Sequence, residues 1–142
     1  MPEGGAVPEI ALLTQIAGTA NDLERAKLAL NDSRATVLRA TRVRHDGGGQ
    51  PIALEEMILP QRHFFGLDGN GYAAADIFEL AQRQGLKLGR ATERVSTIPA
   101  TADIAKYLRI AAGTEVLKLD RVTETVDGVP FEWRVTFARM TN

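Results

Sequence analysis

The stretch YLRIAAGTEVLKLDRVTETVDGVPFEWR, Tyr107–Arg134, decides the fold. It reads as the end of a helix, then a strand, a turn at Asp127-Gly128, and a second strand. Asp-Gly favours a two-residue hairpin because its backbone tolerates positive φ. Beyond the turn, Phe131, Trp133, Val135 and Phe137 alternate with Glu132 and Arg134. Side chains alternate between sheet faces with period two, so one face is apolar and the other carries an acid beside a base. A charged sheet face either meets water or lines a pocket.

Working outward, the paired strands are expected over residues 114–126 and 129–139. Before them, TADIAKYLRI reads as a short helix with Thr101 as N-cap and Asp103 in its first turn, where the helix dipole favours an acid. LKLGRATERVSTIP reads as a strand, and YAAADIFELAQRQG as a helix stopped at Gly85. TVLRATRVR and PIALEEMILP read as strands joined through the turn HDGGGQ. Residues 1–7 read as a tail. From Pro8 to Asn31, Ile10, Leu13, Ala17, Ala20 and Leu23 fall near one stripe, which predicts helix, with Asn21 or Asp22 capping a second one. Hairpins with helices between them give an α+β fold with an antiparallel β-sheet flanked by helices.

Composition narrows the function classes. The chain has 142 residues, enough for one domain. Its formal net charge is −1, a poor match to a protein that binds DNA or a membrane through a basic surplus. It has no cysteine, which removes disulfides, thiolate catalysis and cysteine zinc sites. No apolar run reaches membrane-spanning length, and a cytoplasmic protein is expected.

The candidate chemistry is narrow. Gly47-Gly48-Gly49 precedes a strand rather than a helix, so it reads as a turn and not a phosphate loop. His45 and His63 lack metal spacing and read as exposed loop residues, so neither a metal nor a cofactor is expected. Arg42 and Arg44 share a strand face with Leu38 and Ala40. Adjacent guanidiniums repel unless an anion joins them, and their planar forks suit a carboxylate or phosphate. Pairing with Glu55 or Glu56 across the hairpin is an equal alternative. One of those two acids shares the face of Ala53, Met57 and Leu59, where a carboxylate needs a partner. Phe78 reads as core and Asp76 as solvated. No nucleophile–base pattern suggests catalysis.

In this order the segments VLRATRVRHDGGGQPIALEEMILP and DIFELAQRQGLKLGRATERVSTIPATADIAKYLRIAAGTEVLKLDRVTETVDGVPFEWRVTFAR resemble the UTRA effector-binding domain of HutC-type regulators in the GntR family. The likeness spans about residues 36–139. It implies a chorismate-lyase-like fold, usually dimeric, that senses a small anionic metabolite without catalysis. Residues 36–142 would form that domain, and residues 1–35 a tail and helical packing or linker segment. The motif positions that hold the effector fall on Arg42, Arg44, Glu55 and Glu132, with Asp76 and Phe78 in the helix motif. Relatives that bind sugar phosphates often carry serine and tyrosine at the last two positions, and a tyrosine where this chain has Ala138. These departures argue against a sugar phosphate, and Asp76 favours an amine-bearing effector. DNA would be bound only through a winged helix-turn-helix domain, for which residues 1–35 are too short. A chorismate-lyase-like enzyme on the same scaffold is the competing reading.

Overall fold

The structure is a computed structural model that describes residues 9–63, Tyr72 and residues 76–140. Six strands form one antiparallel sheet: β1 (Ile10–Thr19), β2 (Thr36–His45), β3 (Pro51–Pro60), β4 (Leu88–Pro99), β5 (Glu115–Thr125) and β6 (Pro130–Arg139). Their spatial order is β1-β2-β3-β6-β5-β4. Three α-helices are described, α1 (Asp22–Leu28), α2 (Ile77–Arg83) and α3 (Ala102–Leu108), besides a 3₁₀ turn at Gln61–His63. The α+β antiparallel architecture expected from the hairpin pattern is therefore present.

Residues 10–19 differ from expectation: they form an edge strand paired with β2, not a helix. The physical reason lies in the register, which shifts between Leu12 and Thr14. A bulge inserts an unpaired residue and breaks the two-residue alternation. With Leu13 as the extra residue, the apolar positions Ile10, Leu13 and Ala17 fall three and four residues apart, the spacing of a helical stripe. The second helix expected in this segment is present as α1. Asn21 caps it, with the Asn21 side chain accepting from Glu24 N–H at 2.8 Å and Glu24 Oε1 accepting from Asn21 N–H at 2.9 Å. Glu24 also takes two hydrogen bonds from Arg39, both at 2.7 Å, which ties α1 to β2. Burial opposes the charged form of Glu24, but the Arg39 and Asn21 donors outweigh it and lower its pKa.

The two sheet faces have different jobs. On one, α3 buries Ile104, Ala105 and Leu108 against Val43, Leu54, Val116 and Phe137, while α1 places Leu28 near Val37 and Trp133. Thr101 caps α3, its side chain accepting from Ile104 N–H at 3.3 Å. The other face is divided. At one end α2 packs Leu80 and Ala81 on Leu38, Met57 and Leu59, joined by Tyr72 and Phe131. Phe131 belongs to this cluster rather than with Trp133 and Phe137, because the β5–β6 register shifts beside it. The remainder of this face carries charged side chains.

His63 is also corrected. It is buried rather than an exposed loop residue, with its ring 4.2 Å from Phe131 and Nδ1 2.8 Å from Gln84 Oε1. Desolvation lowers its pKa.

Leu108 has no solvent exposure and sits at the centre of the α3 cluster. Leu108→Ala is expected to lower stability by about 2–5 kcal/mol, the range for emptying a buried leucine site. Urea unfolding reads this as a lower midpoint at unchanged slope. A loss under about 1 kcal/mol would show that α3 does not anchor the sheet.

Candidate functional site

Strand register builds the site. Arg42 on β2 stands opposite Glu55 on β3, and Glu55 stands opposite Thr136 on β6. In the next row Ala40, Met57, Arg134 and Arg121 align across β2, β3, β6 and β5. Glu93 on β4 completes that row opposite Arg121. Period-two alternation therefore puts all the charged members on one face.

Burial makes their pairing obligatory. Arg42 is 3% exposed, Glu55 6% and Glu132 1%. An ionised carboxylate held away from water is tolerated only with strong donors around it. Glu55 has them: Arg42 Nε donates at 2.6 Å, and Arg134 Nη1 and Arg44 Nη1 lie 3.7 Å and 3.8 Å away. Glu132 accepts two bonds from Arg134, both at 2.9 Å, and one from the Tyr72 hydroxyl at 2.5 Å. Burial and the negative charge of Glu132 push the Tyr72 phenol well above its usual pKa, so it remains a donor. Burial works against the charge on Arg134, but Glu132 and then Glu55 outweigh it and raise its pKa.

The result is one connected lattice, Tyr72–Glu132–Arg134–Glu55–Arg42, with Arg44 at its outer end. Three guanidiniums stand against two buried carboxylates, and the exposed Glu9 lies 3.8 Å from Arg44. Of the two alternatives raised for Arg42 and Arg44, the pairing of Arg42 with Glu55 across the hairpin is present. A cavity of about 360 Å³ adjoins it, with Arg42, Arg44, Glu132 and Arg134 in its wall. Of the two acids in β3, Glu55 is the inward one; Glu56 is exposed and lines a separate pocket with Trp133 and Val135.

Asp76 and Phe78 also line the cavity. Asp76 is the N-cap of α2, with its carboxylate accepting from Phe78 N–H at 2.8 Å. That role explains an acid at this place without reference to a ligand. Phe78 is 66% exposed and belongs to the cavity mouth rather than the core, as α2 buries Leu80 and Ala81 instead.

Two residues outside the sequence-predicted set belong to the wall. Arg134 was visible beside Glu132 on the same face. Arg121 stands opposite Arg134 and pairs with Glu93 at 3.0 Å. Its position follows from the Asp127-Gly128 hairpin once pairing is counted outward from the turn. Gly128 has φ 82° and Asp127 does not have positive φ, so the expected two-residue turn is a three-residue loop between Thr125 and Val129 with glycine at its left-handed position. An adjoining groove of about 810 Å³ continues over β3, β5 and β6. Among the described residues no cluster of histidine and acidic side chains suits a metal ion. Among the described residues no helix is long and apolar enough to cross a membrane.

Comparison with known proteins agrees with this architecture. Residues 3–141 match the UTRA domain. The chain is 28% identical over 132 residues to the HTH-type transcriptional regulator Rv0792c of Mycobacterium tuberculosis (strain ATCC 25618 / H37Rv), covering 90% of this chain and 47% of that protein. It therefore spans about half the length of that curated relative. A GntR-family transcriptional regulator from Enterococcus faecalis V583 shares the fold with a TM-score of 0.85, at 24% identity over 94% of this chain and 96% of that one. The effector domain of PhnF from Mycobacterium smegmatis gives 0.82 at 26% identity, covering 92% and 79%. The chain belongs to the UTRA domain family found in these transcriptional regulators.

Proposed function

We propose that this chain is the effector-sensing part of a HutC-type GntR-family regulator, and that it binds a small anionic metabolite over the charged sheet face. The observation that carries this reading is the cavity above Arg42, Arg44 and Arg134, where guanidiniums outnumber the buried carboxylates paired with them. An anion entering there meets guanidinium donors whose hydrogen bonds offset the cost of its leaving water. Arg42, Arg44, Glu55, Asp76, Phe78 and Glu132 form the proposed effector-binding set. Glu55 and Glu132 act in it chiefly by holding the arginines in place.

Binding rather than catalysis is favoured by the state of the two acids. A general acid must turn its carboxyl toward a substrate. The carboxylate oxygens of Glu55 and Glu132 are instead engaged as acceptors by guanidinium donors. In the full-length protein, working in the cytoplasm, the effector would act by binding two arrangements of a homodimer with unequal affinity. DNA contact would fall to a separate domain.

Arg44 is the variant of choice because its side chain is 36% exposed and supports no core cluster. Calorimetric titration with butanoate and with inorganic phosphate is expected to show saturable binding of at least one anion. Arg44→Ala should weaken that binding by about thirtyfold, the lower end for losing one partner of a partly desolvated charge pair. Binding of neither anion, or equal affinity in the variant, would overturn the reading.

Assembly is tested separately. The edge strand β4 is exposed along residues 89–97, including Val95, so a second copy has an uncovered surface to meet. Light scattering at about 50 µM should give twice the chain mass if association is in the micromolar range or tighter. A single-chain mass would contradict the homodimer.

A further inference from the structure

A separate cavity, of about 340 Å³, lies on the opposite face of the sheet from the charged lattice. Thr41, Glu56 and Val135 form one row of its floor across β2, β3 and β6, and Arg39, Ile58 and Trp133 form the next. Each member of the first row adjoins a lattice residue in sequence (Arg42, Glu55 and Arg134), so alternation turns it to the other side. The start of α1, with Glu24, closes one flank. Glu56 is the group without a match. Among the described residues no hydrogen bond or ion pair holds its carboxylate. Its mouth is open to water, yet desolvation raises its pKa, and the charge of Lys118 offsets this only in part. The cations beside the cavity are engaged elsewhere. Arg39 donates to both Glu24 oxygens at 2.7 Å and to the Thr19 carbonyl at 2.8 Å. Lys27, 5.7 Å from the centre of the Trp133 ring, lies 3.7 Å from Asp120.

We propose that this cavity is a second binding site and takes a small organic cation, an ammonium or guanidinium group on a short aliphatic stem, held by the Glu56 carboxylate with the stem against Ile58, Trp133 and Val135. A carboxylate that has lost part of its water and has no donor gains from a cation that brings N–H groups to it. The apolar members of the floor give the stem a surface on which it leaves water. An indole ring at the same place favours a cation further through its negative face. An anion is disfavoured, because the wall carries Glu24 and Glu56 while its one guanidinium, Arg39, is already held at both ends. A hard divalent metal is disfavoured too, since one unpaired carboxylate supplies too few of the oxygen ligands that such an ion takes. The volume falls at the low end of ordinary ligand pockets, about 300–1,000 Å³, which matches a small molecule. The proposal is independent of the anion reading, whose arginines point from the other face.

Trp133 is the only tryptophan of the chain and lines the cavity, so its indole N–H signal reports on this place alone. The test titrates n-butylammonium and n-butylguanidinium into the full 142-residue chain at constant ionic strength and follows that signal by NMR. At least one cation is expected to shift it along a saturable curve, with a dissociation constant of about 1 mM, ordinary for so few atoms. Glu56→Gln should weaken that binding about tenfold, the lower end for a hydrogen bond to a charged group. Thr41→Lys, which places an ammonium beside Glu56 from the facing strand position, should weaken it at least as much, and it keeps the test open if Glu56→Gln does not fold. No saturable shift with either cation would overturn the proposal, as would an equal response to neutral 1-butanol. Affinity unchanged in both variants would place the cation elsewhere and overturn it. Binding of acetyl-arginine amide with neither free cation binding would give the cavity to a side chain of another protein and overturn the small-molecule assignment.

Discussion

Two glutamates with almost no solvent contact, Glu55 and Glu132, lie on a sheet face among guanidinium groups, and the rest of the structure is arranged around keeping them paired. A buried carboxylate without donors costs several kcal/mol or takes up a proton, so the partners are a requirement of the fold as much as of the site. The pairing dictates topology. Arg42 and Glu55 meet only because β2 and β3 form a hairpin in that register. Glu55 reaches Arg134 only because β6 inserts next to β3. The three strands that carry the lattice are adjacent inner strands, where twist and neighbours fix them best.

The opposite face supplies the rigidity. Packing of α1 and α3 on an apolar surface, with Trp133 Nε1 bonded to Asp120 at 2.8 Å, leaves the charged face no share in the main core of that side. On the charged face itself the described apolar cluster lies at one end, under α2, and the cavity adjoins it. Charge reversals at Arg44 and Arg121 should disturb the cavity first, because neither belongs to an apolar cluster, whereas cavities in the core remove contacts that hold the sheet together.

Much of this was legible from residue patterns. The Asp127-Gly128 turn, the Thr101 cap and the Gly85 stop mark local backbone requirements, and each lies where the sequence places it. The inward direction of Arg42, Glu55 and Glu132 also follows from alternation along single strands. What failed depended on long-range contacts. Residues 10–19 form a strand because β2 offers an edge, and the bulge after Leu12 hides the alternation. His63 is buried because Phe131 and Gln84, distant in sequence, close on it. Arg121 required a registered hairpin before it could be placed opposite Arg134. Phe78, read as core from its spacing with Ala75 and Leu80, is turned outward once Asp76 starts the helix; Ala75 itself lies outside the described residues.

The central claim is that the charged sheet face is an anion-binding surface and not a closed structural ion-pair lattice. The most direct measurement is NMR of the arginine Nε–Hε groups during titration with hexanoate. Arg44 and Arg134 are predicted to shift together along one saturable curve, since both line the cavity and Arg134 is held rigidly by Glu132. Arg25 and Arg83, which lie on α1 and α2 away from the cavity wall, are predicted to stay unchanged. Saturable shifts at those two with Arg44 and Arg134 unmoved, or no shift at any arginine, would contradict the account.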